Sequence, residues 1–103
     1  MLLARVVGTV VATQKDSAMA GRKLLLLRPQ VVDPKEPTRL VAGGNTVVAV
    51  DSVGAGEGEL VLICQGSSAR LAPGCEQTPV DAVIIGIVDA VDALGQILYS
   101  AAH

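Results

Sequence analysis

Apolar and polar positions alternate over residues 3–13, with Ala4, Val6, Gly8, Val10 and Ala12 on one face and Arg5, Thr9 and Thr13 on the other. That period of two predicts a strand with small inward side chains. Polar residues 14–21, ending in Gly21, predict a loop. Lys23 and Arg28 then bracket four leucines, Leu24 to Leu27. The run is too short for a helix and predicts a strand apolar on both faces. Alternation puts Leu25 and Leu26 on opposite sides, one toward a core and the other toward a neighbouring subunit. Residues 29–44 carry Pro29, Pro34, Pro37 and the Gly43-Gly44 pair, and predict an irregular connection.

The β-branched run 45–50 leads into the segment around which the chain is organised, Ala49 to Arg70. A strand ends at Asp51, a loop punctuated by Gly54, Gly56 and Gly58 follows, and a second strand covers residues 60–64. Gly66 turns the chain into a short helix holding Ala69, Arg70 and Leu71, with Ser67 or Ser68 as its cap and Pro73-Gly74 as its end. Residues 80–91 predict another apolar strand with Asp81 and Asp89 near its ends; a turn at 92–95 and a final strand at 96–100 complete the chain. Six short strands, one brief helix and many glycine turns predict an all-β barrel or sandwich, with residues 1–103 as a single domain.

Composition adds a demand for partners. Half of the 103 residues are hydrophobic and 17% are charged, against a usual charged share of about 25%. A chain this short buries only about two-thirds of its unfolded surface. The longest apolar run, residues 82–88, falls far short of the roughly 20 residues of a spanning helix, so association with other copies is the remaining outlet. The first residues lack a basic segment ahead of the apolar ones and do not read as a signal peptide. Cys64 and Cys75 have no C-x-x-C spacing, and the single histidine is His103, so four zinc ligands cannot be assembled. Cys64 is expected to be a buried thiol in a reducing cytosol. Net charge is −2, with one Tyr and neither Trp nor Phe; neither the basic groove nor the stacking platform of a nucleic-acid binder is present.

Catalytic chemistry finds little support. Gly54 and Gly56 begin a dinucleotide fingerprint, but Glu59 stands where the third glycine belongs and a strand follows instead of a helix. Asp51-Ser52 resembles the Asp-Ser-Gly of dimeric aspartic proteases, with Val53 in place of the glycine. The alternative reading of Asp51 is a carboxylate that bonds turn amides in the glycine loop. Arg70 follows Gly-Ser-Ser-Ala and suits an interfacial ion pair better than an anion site.

Five blocks then give the chain a likeness. Gly8-Thr9-Val10-Val11 with Lys15, and Gly21-x-Lys23-Leu24-Leu25-Leu26, are the first two. Ala49-Val50-Asp51-Ser52-Val53-Gly54-Ala55-Gly56, Gly66-Ser67-Ser68-Ala69-Arg70 and Pro79-Val80-Asp81-Ala82 follow in order. Together they resemble the EutN/CcmL family, the pentameric vertex proteins of bacterial microcompartment shells. The resemblance implies a five-stranded OB-like barrel with one short helix, assembled as a homopentamer that closes the five-fold vertices of a polyhedral shell made of hexameric shell proteins. It implies a structural role without catalytic residue, cofactor or metal, and no nucleic acid or membrane partner. Thr13-Gln14-Lys15-Asp16 and residues 23–27 look closest to the carboxysome members, which places the chain in a carboxysome shell within the cytoplasm, with carbonic anhydrase and Rubisco as cargo in carbon fixation. Residues 29–45 are longer than the family pattern. Asp51, Gly54, Gly56, Gly66, Ser67, Ser68, Arg70, Leu25 and Leu26 are the candidate interface or turn-forming residues. A dimeric aspartic-protease-like enzyme using Asp51 and an OB-fold binding module are the alternatives.

Overall fold

The computed structural model describes residues 1–12, 21–72 and 81–101, with the side chains of Ser67, Ser68 and Arg70 excepted. Among the described residues there are eight strands: β1 (Leu2–Val10), β2 (Leu24–Val32), β3 (Leu40–Ala42), β4 (Val47–Asp51), β5 (Leu60–Gln65), β6 (Ala82–Ile87), β7 (Ala90–Ala93) and β8 (Gln96–Ser100). One 3-10 helix, Gly66–Leu71, follows β5.

Five strands close on themselves. β1 pairs with β5, β5 with β6, β6 with β4, β4 with β2, and β2 returns to β1. All of these pairings are antiparallel except β4–β6, where Val50 and Asp51 run parallel beside Val83 and Ile84. The closed ring is the all-β, five-stranded barrel with a short helix, and closure removes its free strand edges. β3 lies outside the ring on the far half of β2, and β7 and β8 form a separate hairpin.

Alternation fills the barrel. Ala4 and Val6 of β1, Leu25 and Leu27 of β2, Ala49 of β4, Val61 and Ile63 of β5, and Ala82 and Ile84 of β6 form the buried core. Small residues on β1 and β4 face large ones on β2 and β5, which suits a narrow five-strand interior. A bulge between Val6 and Gly8 turns Val7 outward. A second buried cluster lies outside the barrel wall. Val50 and Val83, neighbours across the parallel pair, are roofed by Ala69 and Ala72, with Leu24 and Ile85 packed at its margin.

Several expectations need correction. β2 does not stop at Pro29 but runs to Val32, and residues 29–44 form a ribbon with β3. Pro29 is tolerated because its nitrogen and carbonyl face the same side, toward Gly43. There, between the β4 and β3 pairings, its carbonyl accepts the Gly43 amide and no ladder bond needs a proline donor. Gly43 passes so close that an added Cβ would sit 2.8 Å from a Val31 methyl. The ribbon's loop is held by Asp33, whose carboxylate accepts the Lys35 amide at 2.9 Å and the Arg39 guanidinium at 2.8 Å. The Lys35 amide, followed by Arg39, holds the Asp33 carboxyl below its ordinary value.

The single strand expected over 80–91 is two, β6 and β7, parted at Val88 and Asp89. Val88 donates its amide to Leu60, and Asp89 accepts the amide of Ala101. Cys64 is half-buried on the outer wall, not inside the core, because strand alternation gives the interior to Ile63. The helix starts at Gly66, one residue before the expected cap; its N-cap is Gln65, with no side-chain bond, so Ser67 and Ser68 stand inside it. The last turn is Leu94-Gly95, with φ of 51° and 73°. Two positive φ values between paired Ala93 and Gln96 mark a type I′ hairpin turn. A leucine in this left-handed conformation costs about 1–2 kcal/mol.

Candidate functional site

Asp51 ends β4 and turns its side chain back under the glycine loop. One carboxylate oxygen, Oδ1, accepts the amides of Val53 at 3.0 Å and Gly54 at 3.1 Å. The other, Oδ2, accepts the amide of Ala55 at 3.0 Å, and Lys23 Nζ stands 3.6 Å from it. Lys23 also donates to the Ala55 carbonyl at 3.2 Å, and Ser52 Oγ donates to the Ile84 carbonyl at 2.6 Å. This clasp ties the ends of β2, β4 and β6 together where the parallel pair closes the barrel. Gly54, with φ of 80°, supplies the left-handed residue that lets three successive amides converge on one carboxylate.

The loop continues to a second clasp. Glu59 Oε1 accepts the Gly56 amide, while the Gly58 amide donates to the Val6 carbonyl and the Val6 amide to the Glu59 carbonyl, docking the loop on β1. Arg5 donates to the Gly58 carbonyl at 2.9 Å. Its guanidinium carbon lies 5.5 Å from the centre of the Tyr99 ring, joining the loop to the β7–β8 hairpin.

These polar groups are satisfied internally. The Asp51 side chain is 2% exposed, so its carboxylate has no free face for water or substrate, and an aspartic-protease role has no geometry here. Among the described residues, no three His, Cys, Asp or Glu side chains gather as a metal site. A cleft of about 380 Å³ between β2 and the Gly43-Gly44-Asn45 turn contains no ionisable side chain. Acid–base chemistry has nothing to work with there.

Among the apolar side chains that the barrel wall turns outward, two groups are set by strand register. On one side, Leu26 of β2 lies beside Val48 of β4 and opposite Gly8 of β1. Leu26 is half-buried and Val48 is 45% exposed. On another side, Leu3 of β1 faces Leu62 of β5, and Leu62 faces Gly86 of β6. The roofed Val50–Val83 pair lies between the two, on the β4–β6 stretch of the wall. Leu25 is in the core and Leu26 on the outer wall; Gly66 leads from β5 into the roofing helix with φ of 68°. The roles expected of the Ser67, Ser68 and Arg70 side chains fall outside the described residues. The turn at 92–95 with its return strand was expected but given no functional role, and Val48, Leu3 and Leu62 were not singled out from sequence. The register of the pairs is what brings them together, and the signal available was only their place on the outward phase of each strand.

The sequence model of the family described as "Ethanolamine utilisation protein EutN/carboxysome" matches residues 1–89. The carboxysome shell vertex protein CcmL of Nostoc sp. is 48% identical over 97% of this chain and 94% of its own length. The bacterial microcompartment shell vertex protein PduN of Salmonella typhimurium is 49% identical over 86% of this chain and 96% of its own. Among solved structures, the GrpN pentameric microcompartment shell protein from Rhodospirillum rubrum superposes with a TM-score of 0.74 at 41% identity, covering 91% of this chain and 99% of that one.

Proposed function

Because the chain belongs to the EutN/CcmL family, we propose that it is a bacterial microcompartment shell vertex protein, a homopentamer that caps five-fold corners and meets hexameric shell proteins at its rim. It is a structural component of the shell and not an enzyme. The observation that carries this reading is the pair of unlike apolar faces, Leu26–Val48 on one side of the barrel and Leu3–Leu62 on another. Two different patches that meet head to tail make a heterologous contact, which closes into a ring when the rotation allows it. A self-complementary dimer would need only one. The ring number five comes to this chain from its pentameric relative.

Within that class we favour a carboxysome. Its support is the 48% identity to the carboxysome relative across almost the whole chain, together with the residue blocks around Lys15 and Lys23. Shells isolated from the source cells through an affinity tag on this chain test the assignment. Rubisco and carbonic anhydrase inside them are the expected cargo, and a different enzyme set would move the protein to another compartment type. Omitting the chain from a reconstituted shell should leave the corners open, and sealed shells without it would remove the vertex role.

A further inference from the structure

The β7–β8 hairpin makes little use of the barrel it is attached to. It pairs only with itself, and the Arg5–Tyr99 stack is its one described side-chain tie to the rest of the chain. A lone two-stranded hairpin is marginal in water. Its tip nevertheless carries Leu94 at 78% exposure and Ile97 at 70%. Leu94 also occupies a left-handed position where Asn or Asp would be strain-free and water-soluble. A residue unfavourable for the turn and unfavourable in solvent is retained at a tip when its side chain is needed for something else. We infer that the hairpin is an assembly arm, and that Leu94 with Ile97 inserts against the outer wall of the next copy of this chain in the ring.

The inference rests on the pentameric reading, and a second copy is the occupant that reading provides. The described chain measures 45 × 26 × 23 Å, longer than a compact barrel needs, so parts of it reach beyond the closed ring of strands. In a ring of copies the outer wall of the next subunit offers such a part apolar side chains, with Leu26, Leu3 and Leu62 half-buried and Val48 exposed in the single chain. The family model ends at residue 89, whereas the alignment with the Nostoc relative covers 97% of this chain and so extends into the arm.

Leu94→Asn in the full chain separates the two roles of the residue. Asn-Gly is the favoured type I′ pair, so a residue serving only the turn would give an equal or tighter assembly after the change. An inserted side chain requires the opposite result: the assembly should dissociate at a protein concentration on the order of tenfold higher than the parent, as loss of one buried aliphatic contact predicts. Ile97→Thr, which keeps β propensity, should act in the same direction. Mass photometry over a dilution series reads both variants beside the parent. A parent that is not pentameric contradicts the proposed function itself. A pentameric parent with unchanged variants overturns the arm alone. Variants that stay pentameric but bind hexameric shell protein less well would also overturn it, by giving the tip to a different partner.

Discussion

Replacing Asp51 by alanine removes the acceptor that holds the β4–β5 loop in place, and the expected cost can be built bond by bond. The Ala55 amide is partly buried and donates to Oδ2 at 3.0 Å; losing a charged acceptor there costs about 1.5–3 kcal/mol. The Val53 and Gly54 amides are exposed and recover water, so each contributes only about 0.5 kcal/mol. Lys23 is about half exposed and 3.6 Å away, which limits the ion pair to less than about 1 kcal/mol. The sum is about 3 kcal/mol. For a domain of this size that lowers Tm by about 12 °C or more. Asp51→Asn keeps one carbonyl oxygen but turns an NH2 toward the other amides, and should lose about half as much. Thermal and urea unfolding at one fixed protein concentration, where assembly contributes equally to all samples, makes the comparison valid. If Asp51→Ala melts within about 2 °C of the parent, the carboxylate does not hold the loop and the clasp is incidental.

Three further outcomes follow from the packing and the ribbon. Leu25→Asp buries a charge in the core and should leave no folded subunit, whereas Leu26→Asp on the outer wall should keep the β signal in circular dichroism and lose assembly; identical behaviour would refute the two-faced reading of β2. Gly43→Ala should destabilise by about 1–3 kcal/mol through overpacking against the Val31 methyl at 2.8 Å, and Val31→Ala should restore most of that loss in urea titrations. The depressed Asp33 carboxyl adds stability above its unfolded value of 3.8, and that stability is lost as pH falls below it toward the folded value. The stability gap between parent and Asp33→Asn should therefore be present at neutral pH and shrink once the pH drops below about 4.

The parts legible from the chain were those governed by local chemistry. Alternation placed Ala4 and Val6 on the inner phase of β1 and put Leu25 and Leu26 on opposite faces of β2, though not which of the two faces inward, and an aspartate ahead of Ser-Val-Gly-Ala-Gly carries turn chemistry in its own side chain. Pairing between distant segments was less visible. The parallel contact of Val50 and Asp51 with Val83 and Ile84 closes the barrel, yet no local pattern distinguishes a parallel neighbour from an antiparallel one. Pro29 read as a breaker because its missing donor is a local property; that the missing donor falls where no ladder bond is required depends on Gly43, fourteen positions later in the chain. The exposed tip at Leu94 was hidden for a similar reason. A leucine between Ala93 and Gly95 reads as ordinary until the register puts it at positive φ, outside the barrel.

The central claim, a five-membered ring built from two unlike faces of one barrel, is tested most directly by the native mass of the purified full chain. Native mass spectrometry with light scattering at low protein concentration should give a single species at five times 10.5 kDa, persisting on dilution. A monodisperse monomer or dimer would contradict it.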